Sequence, residues 1–346
     1  MNRVKNLDFK YIFLIMGSII GVGFASGKEI AVFFTDFGKY SFINIFLAFT
    51  IFYVLVKIFI SIGKMIKPNN LFDINKQIFK NKHKIFNIFI LLGLFIIIVS
   101  MIAATSSIGR MIFNNISFPV LSIVSVFFAF FILNLGYDAI IKLNKILVPI
   151  IILFVFVISI IFVFRTDFSV PFINSFSIKN LIKYLILALF YIAFNMVFSS
   201  GLIIQNGKDF TKKQAKYNSL IIAIGLMLIV FIMNYTLLHS SIDIYYSDMP
   251  ILAMAYSISG LLGYSFSFVL WLSVLTTLIS TLYIFINCFN KNQFLVSAIT
   301  LTLAFILSFF GFNYIVNMFY PIQGVIGIVF IVFALIFYFK NRKLIN

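Results

Sequence analysis

The residues able to do chemistry in this chain crowd into one apolar stretch, Gly17–Glu29, which reads GSIIGVGFASGKE. Four glycines, at 17, 21, 23 and 27, fall within eleven residues, and Glu29, the single glutamate of the protein, follows at once. The stretch lies inside an apolar run long enough to cross a bilayer. Hydrocarbon offers no hydrogen-bond partners, so unwound backbone survives there only against protein or beside a water-filled cavity. Glycine weakens a helix and permits backbone angles closed to other residues. Gly21-Val22-Gly23 can therefore free carbonyl oxygens for a cation, and a half-helix beginning near Phe24 can aim N–H groups at an anionic group. Gly21, Gly23, Phe24 and Ser26 are the resulting candidate ligands. The same residues also spell two G-x-x-x-G packing motifs, GSIIG and GFASG, and both readings stay open.

Glu29 lies about 9 Å beyond Gly23 if the chain between them is helical. Lys28 is adjacent, and helical neighbours point to different faces, so the two do not pair directly. An acid at membrane depth is costly and defaults to a functional reading. Glu29 is a candidate proton carrier or outer-gate charge; the competing reading is a salt bridge to Arg110 or Lys183. Further along, WLSVLTTLISTLYIF carries Thr276, Thr277, Ser280 and Thr281, and Thr277, Ser280 and Thr281 share a helix face. Hydroxyls are hard oxygen donors suited to a small cation, although bonding back to their own helix is their common use. Tyr191 and Asn195 sit one turn apart in YIAFNMVFSSG, followed by Ser199-Ser200-Gly201, and offer a phenol and an amide to a solute or to a neighbouring helix. The stretch SMIAATSSIG, with Ser100 and Thr105–Ser107, reads as close helix packing. Asp138 reads as a surface partner of Lys142.

Membrane helices must position these groups. The chain is 63% apolar, 19% aromatic and only 10% charged over 346 residues, too little charge to cover a soluble domain. Ten continuous apolar runs are expected, near 9–36, 41–63, 85–112, 118–136, 140–164, 180–205, 214–239, 263–289, 293–310 and 314–339. Continuity rather than alternation argues against a β-barrel. The segment 64–84 reads as a basic loop with a short surface helix, and 240–262 as a re-entrant or interfacial helix. With the N-terminus inside, inner segments hold 19 Lys and Arg and outer ones 5, which places both termini in the cytoplasm. The net charge of +17 thus marks topology rather than nucleic acid. One cysteine and two separated histidines exclude an internal disulfide and argue against a metal centre. The apolar N-terminal run outlasts a signal-peptide core and is read as a retained first helix. No H-E-x-x-H motif, paired intramembrane carboxylates or phosphate-binding loop is present, so neither catalysis nor direct ATP use is expected.

Ten runs divide into five plus five, the second half inverted, with repeat one near 9–164, repeat two near 180–339, and a single transmembrane domain over 1–346. Glycine and polar interruptions in the first and sixth runs fall at matching positions, a pointer to a transporter binding site between broken helices.

The run GSIIGVGFASGKEIAVFF resembles the opening helix of the YkvI-like membrane proteins, which carries a G-x-G-F-A-S-G-x-E pattern, and YIAFNMVFSSG is similar to their sixth helix. That group lies within the amino acid–polyamine–organocation superfamily. The resemblance implies the five-plus-five inverted-repeat fold of the leucine transporter LeuT, with solute held between broken first and sixth helices. It assigns solute contacts to Gly21, Gly23, Phe24, Ser26, Tyr191, Asn195 and Ser199. It also implies a sodium site formed by Gly21, Phe24, Thr277, Ser280 and Thr281. Relatives that use a lysine on the fifth helix instead would need Lys142 or Lys145, which sit too near the inner end, so sodium is favoured. The function implied is cation-coupled transport, with sodium or a proton, of a small amino-acid-like solute by alternating access in the plasma membrane, with no resident cofactor. The alternative is a ligand-sensing subunit of a larger complex, like spore-germinant receptors.

Overall fold

The computed structural model describes residues 7–68, 71–113, 119–133, 137–165, 178–289 and 292–342. Among them the chain is all-helical, 90% helix with no strand. The first expected span is three short helices, α1 (Phe9–Ile19), α2 (Val22–Ala25) and α3 (Lys28–Phe33), followed by a 3-10 turn at Thr35–Tyr40. Next come α4 (Ser41–Ile66), α5 (Leu71–Phe79), α6 (His83–Ile112), α7 (Val120–Ile132) and α8 (Tyr137–Arg165). The second half holds α9 (Ile178–Gly207), α10 (Lys212–Leu238), α11 (Ile242–Tyr246), α12 (Pro250–Ile258), α13 (Gly260–Ile286), α14 (Gln293–Ser308) and α15 (Phe312–Asn341). The expected surface helix in 64–84 is α5, and the segment 240–262 supplies α11 and α12. The side chains of Asp138, Lys142 and Lys145, with the expected Asp138–Lys142 pair, lie outside the described residues.

Among the described residues seven stretches are long and apolar enough to cross a bilayer, and they coincide with seven of the ten expected runs. The other three expected runs contain the shorter apolar helices α1, α7 and α14. The ends are set by local signals. Asp8 caps α1, its carboxylate accepting from the Tyr11 N–H at 3.0 Å, and Thr211 with Gln214 forms a capping box that starts α10. Outward faces carry large exposed apolar side chains such as Phe46, Ile88, Phe131, Phe164 and Leu303, the pattern of helices solvated by lipid.

The expected break in the sixth run is not there: α9 is one continuous helix of 30 residues. Its polar residues are served by the helix itself. The Asn195 amide donates to the Tyr191 carbonyl at 3.0 Å and the Ser200 hydroxyl to the Val197 carbonyl at 2.6 Å. Gly201 alone costs only about 1 kcal/mol against alanine, far less than opening unsatisfied backbone groups at membrane depth. Tertiary packing also holds α9 straight, since it is clasped between α4 and α15. Gly63 of α4 lies against the Ile204 backbone, and Gly327 of α15 against that of Ala193, each where a Cβ would collide.

Around this clasp, α1 packs on α8, α9 and α10; α6 packs on α7, α13, α14 and α15; and α13 packs on α7, α8, α12 and α14. Helix α10 lies against α4 and α8. The interrupted first span therefore runs through the centre of the bundle, with α9, α13 and α15 around it.

Candidate binding cavity at the helix break

The break begins where the α1 ladder stops. The Ile20 N–H still reaches the Met16 carbonyl at 2.8 Å, but the Gly21 N–H turns to Ile19 O at 2.8 Å instead of to Gly17 O. The Gly17 carbonyl thereby loses its helical donor. Gly21 itself is extended, with φ −87° and ψ −174°, and α2 adds a single turn before a second break. At that break Gly27 adopts φ 84°, a left-handed conformation that glycine takes at little cost. The Ser26 carbonyl, freed by the bend, accepts from the Ile251 N–H of α12 at 2.8 Å. One interruption of the first span is thus satisfied by protein, and the other opens onto a cavity.

Glu29 sits in the first turn of α3, only 4% exposed. Helical side chains lean toward the N-terminus of their helix, and the Glu29 carboxylate folds back onto Gly23. A Cβ at Gly23 would lie 2.9 Å from Glu29 Cγ and Cδ and closer still to Oε1. The Oε2 atom is buried and has no hydrogen-bond partner among the described residues. Lys28, also 4% exposed, turns away and donates from Nζ to the Ser247 carbonyl at 3.1 Å. The expected non-pairing of Lys28 and Glu29 is what the structure has.

The salt bridge offered as the competing role for Glu29 is overturned. Arg110 Nη2 pairs with Asp248 Oδ2 at 3.2 Å, and the Ser107 hydroxyl donates to the same oxygen at 2.7 Å. Lys183 Nζ lies over the ring of Tyr184, 5.3 Å from its centroid. Long-range packing of the 240–262 segment, where α11 and α12 lie, supplies the acid that takes Arg110. In α11, burial raises the pKa of Tyr245, and its hydroxyl donates to the Ala31 carbonyl at 3.2 Å and to Asp36.

A cavity of about 140 Å³ lies beside the first break, lined from α1 by Gly17, Ser18 and Ile19, then by Gly21, Glu29, and residues of α6, α9, α13 and α15. A Cβ added at Gly21 would meet nothing within 4 Å, so this glycine faces open space. Of the candidates named from sequence, Gly21, Glu29, Asn195, Thr277, Ser280 and Thr281 meet here. The Thr277 hydroxyl donates to Ser273 O at 3.0 Å and that of Ser280 to Thr276 O at 2.6 Å. Back-bonding and a cavity role coexist, because a hydroxyl that spends its proton on a carbonyl keeps lone pairs for a cation.

Gly23, Phe24, Ser26, Tyr191 and Ser199 are not among the lining residues. Gly23 lies under the Glu29 carboxylate, and Phe24 is 1% exposed in the core. The Ser26 hydroxyl donates to Gly23 O at 3.3 Å. Tyr191 packs between the rings of Phe33 and Phe34, its hydroxyl buried without a well-formed hydrogen bond. Ser199 accepts from the Ser18 hydroxyl at 3.0 Å, tying α1 to α9. Sequence reasoning missed two cavity groups. Ser18 sat inside the quoted motif, one turn before Gly21. Tyr320, whose hydroxyl shares a hydrogen bond with Ser100 at 3.0 Å, carried one faint signal, the helix-interrupting Pro321 next to it.

No family model matches the chain. It is similar to the uncharacterized membrane protein YkvI of Bacillus subtilis (strain 168), 22% identical over 340 residues that cover 96% of each chain. The chain is a multi-pass helical membrane protein, similar along almost its whole length to an uncharacterized membrane protein.

Proposed function

We propose that this protein is a secondary transporter that moves a small amino-acid-like solute across the plasma membrane by alternating access, coupled to sodium or a proton. The observation that carries the reading is the broken first span: freed backbone and an unpaired carboxylate face a cavity whose far wall bears the Thr277, Ser280 and Thr281 hydroxyls. Packing alone does not account for a buried carboxylate at such a cavity, because burying it in the ionised form costs several kcal/mol.

Ten crossings in two inverted halves also belong to the proposal. Helix contacts support it, since they map onto themselves when each span is advanced by five. The pair α6–α15 answers α13–α8, α6–α7 answers α13–α14, and α7–α13 answers α14–α6. With only the first span broken, the gating movement is assigned to α1, α2 and α3 rather than shared with α9. The cavity lining runs from the break toward Leu14, Leu202 and Ile284, the side that the Lys and Arg distribution places in the cytoplasm. On the opposite side α12 and α11 bond to the first span through Ile251 N–H to Ser26 O and the Tyr245 hydroxyl to Ala31 O, and the proposal takes this conformation as inward-facing. No catalysis and no resident cofactor are assigned.

The test is flux of radiolabelled amino acids and small amines into proteoliposomes under imposed sodium or pH gradients. Gradient-driven accumulation is expected. Saturable binding with no flux under any gradient would sink the carrier reading and favour a sensor.

A further inference from the structure

Resting on the carrier reading, we infer that Glu29 is an exchangeable counter-charge: its carboxylate holds either a proton or the primary ammonium group of the solute, never both, so solute and proton move in opposite directions.

Charge is the first argument. Among the described residues Glu29 is the one charged side chain lining the cavity, and the ion pair found among them, Arg110–Asp248, does not include it. The groups facing it are neutral: Tyr191 and Asn195 on α9, Tyr320 on α15, and the hydroxyls of α13. On α3 itself Lys28 is committed to Ser247. The outer charges Lys28, Asp36, Lys183, Asp248 and Arg110 act on one another instead. An ionised carboxylate taken out of water without a counter-charge costs several kcal/mol, so this one carries a proton or a cation.

The second argument is the chemistry of the lining. Among the described residues it offers no cationic side chain for a solute carboxylate, so the recognised end is the ammonium. Phe194 and Tyr320 stack at 4.6 Å between centroids beside the carboxylate, and ring faces attract organic cations. On the α6 side the wall is the apolar surface of Leu94, Ile97 and Met101. It suits a short alkyl tail better than a bare metal ion, which needs a full shell of oxygens.

Size and charge then force exchange. A cavity of about 140 Å³ beside a single carboxylate cannot hold a proton on that carboxylate and an ammonium without leaving net positive charge buried. As the ammonium docks, the carboxyl proton passes to water on the open side, and the charge of the site is unchanged.

The experiment is calorimetric titration of the purified full chain in detergent with n-propylammonium chloride from pH 6 to 9, repeated in buffers of different ionisation enthalpy. One proton released per ammonium bound is expected, with apparent affinity rising about tenfold per pH unit until the carboxyl is ionised. Glu29→Gln should lose affinity at least about tenfold together with the pH slope, and Glu29→Asp should retain proton release, which separates loss of charge from misfolding. Binding without proton release, full binding by Glu29→Gln, or proton release driven by sodium but not by propylammonium each overturns the inference. Flux on the same preparation separates the two readings. Transport without proton release removes exchange and leaves the carrier; proton release without transport removes the carrier and leaves the site.

Discussion

The seat of the Glu29 carboxylate on Gly23 gives a sharp energetic prediction. In Gly23→Ala the new methyl carbon would fall 2.9 Å from Glu29 Cγ and Cδ, and nearer to Oε1. The carboxylate would have to shift toward the cavity it lines and carry Cγ with it. Such overpacking costs about 1–3 kcal/mol, while alanine in place of glycine within α2 returns about 1 kcal/mol of helix propensity. The net single-mutant effect is therefore about 0–2 kcal/mol, too small to interpret alone. A double-mutant cycle with Glu29→Ala removes the propensity contribution, which is common to both backgrounds. It should leave a coupling of about 1–3 kcal/mol, a factor of roughly 5–150 in the unfolding equilibrium. Thermal unfolding in detergent without ligand is the readout. Gly21→Ala is the control, since its methyl meets nothing within 4 Å, and it should be additive with Glu29→Ala. Coupling between 23 and 29 below about 0.5 kcal/mol, the usual error of additivity, would refute the placement of the carboxylate and the site built on it.

Other consequences can be checked in the same assay. Gly27→Ala forces a side chain into φ 84° with Ile251 Cγ1 2.8 Å away. Gly311→Ala should cost about 1–3 kcal/mol from backbone strain alone, since nothing lies within 4 Å but φ 86° with ψ 149° is a conformation essentially reserved for glycine. Asp248→Asn should lower stability by less than about 1 kcal/mol, because the Arg110 pair is partly exposed, and high salt should shrink the difference. Tyr245→Phe deletes a donor to Asp36 and should cost about 1.5–3 kcal/mol. The Tyr245 pKa is raised by burial, so its contribution is complete below the ordinary tyrosine pKa of about 10 and is lost as pH climbs above it. The variant should accordingly show a flatter alkaline limb. Thr277→Val keeps the shape but removes a cavity oxygen; it should weaken cation-dependent solute binding while leaving unfolding within about 1 kcal/mol of wild type.

In the first span the interruption at Gly21-Val22-Gly23 was legible, and the second, at Gly27, was not, because Gly27 reads equally as the end of a G-x-x-x-G packing motif. Glycines at 21 and 27 mark the interruptions that separate α1, α2 and α3, because lipid forbids unsatisfied backbone and glycine is where a helix gives way most cheaply. The same rule misled at Ser199-Ser200-Gly201. There hydroxyl and amide side chains bonded back within the helix, and α4 and α15 braced it. Composition and residue order also placed the apolar helices and put the Thr277, Ser280 and Thr281 hydroxyls on one face.

Partners separated by long stretches of chain had no local signature. That Arg110 belongs to Asp248, 138 residues away, leaves Glu29 without its expected cation, and nothing near either residue in sequence announces it. The same holds for Tyr320, brought to the cavity by α15 from the far end of the chain, and for Ile251, which caps the Ser26 carbonyl. By itself the sequence determined which segments are apolar helices and that glycines interrupt the first, since the bilayer imposes those rules locally on each span. Only tertiary packing decided that α9 stays whole, that the break at Gly27 is sealed by protein while the one at Gly21 faces a cavity, and that Glu29 is left there without a cationic partner among the described residues.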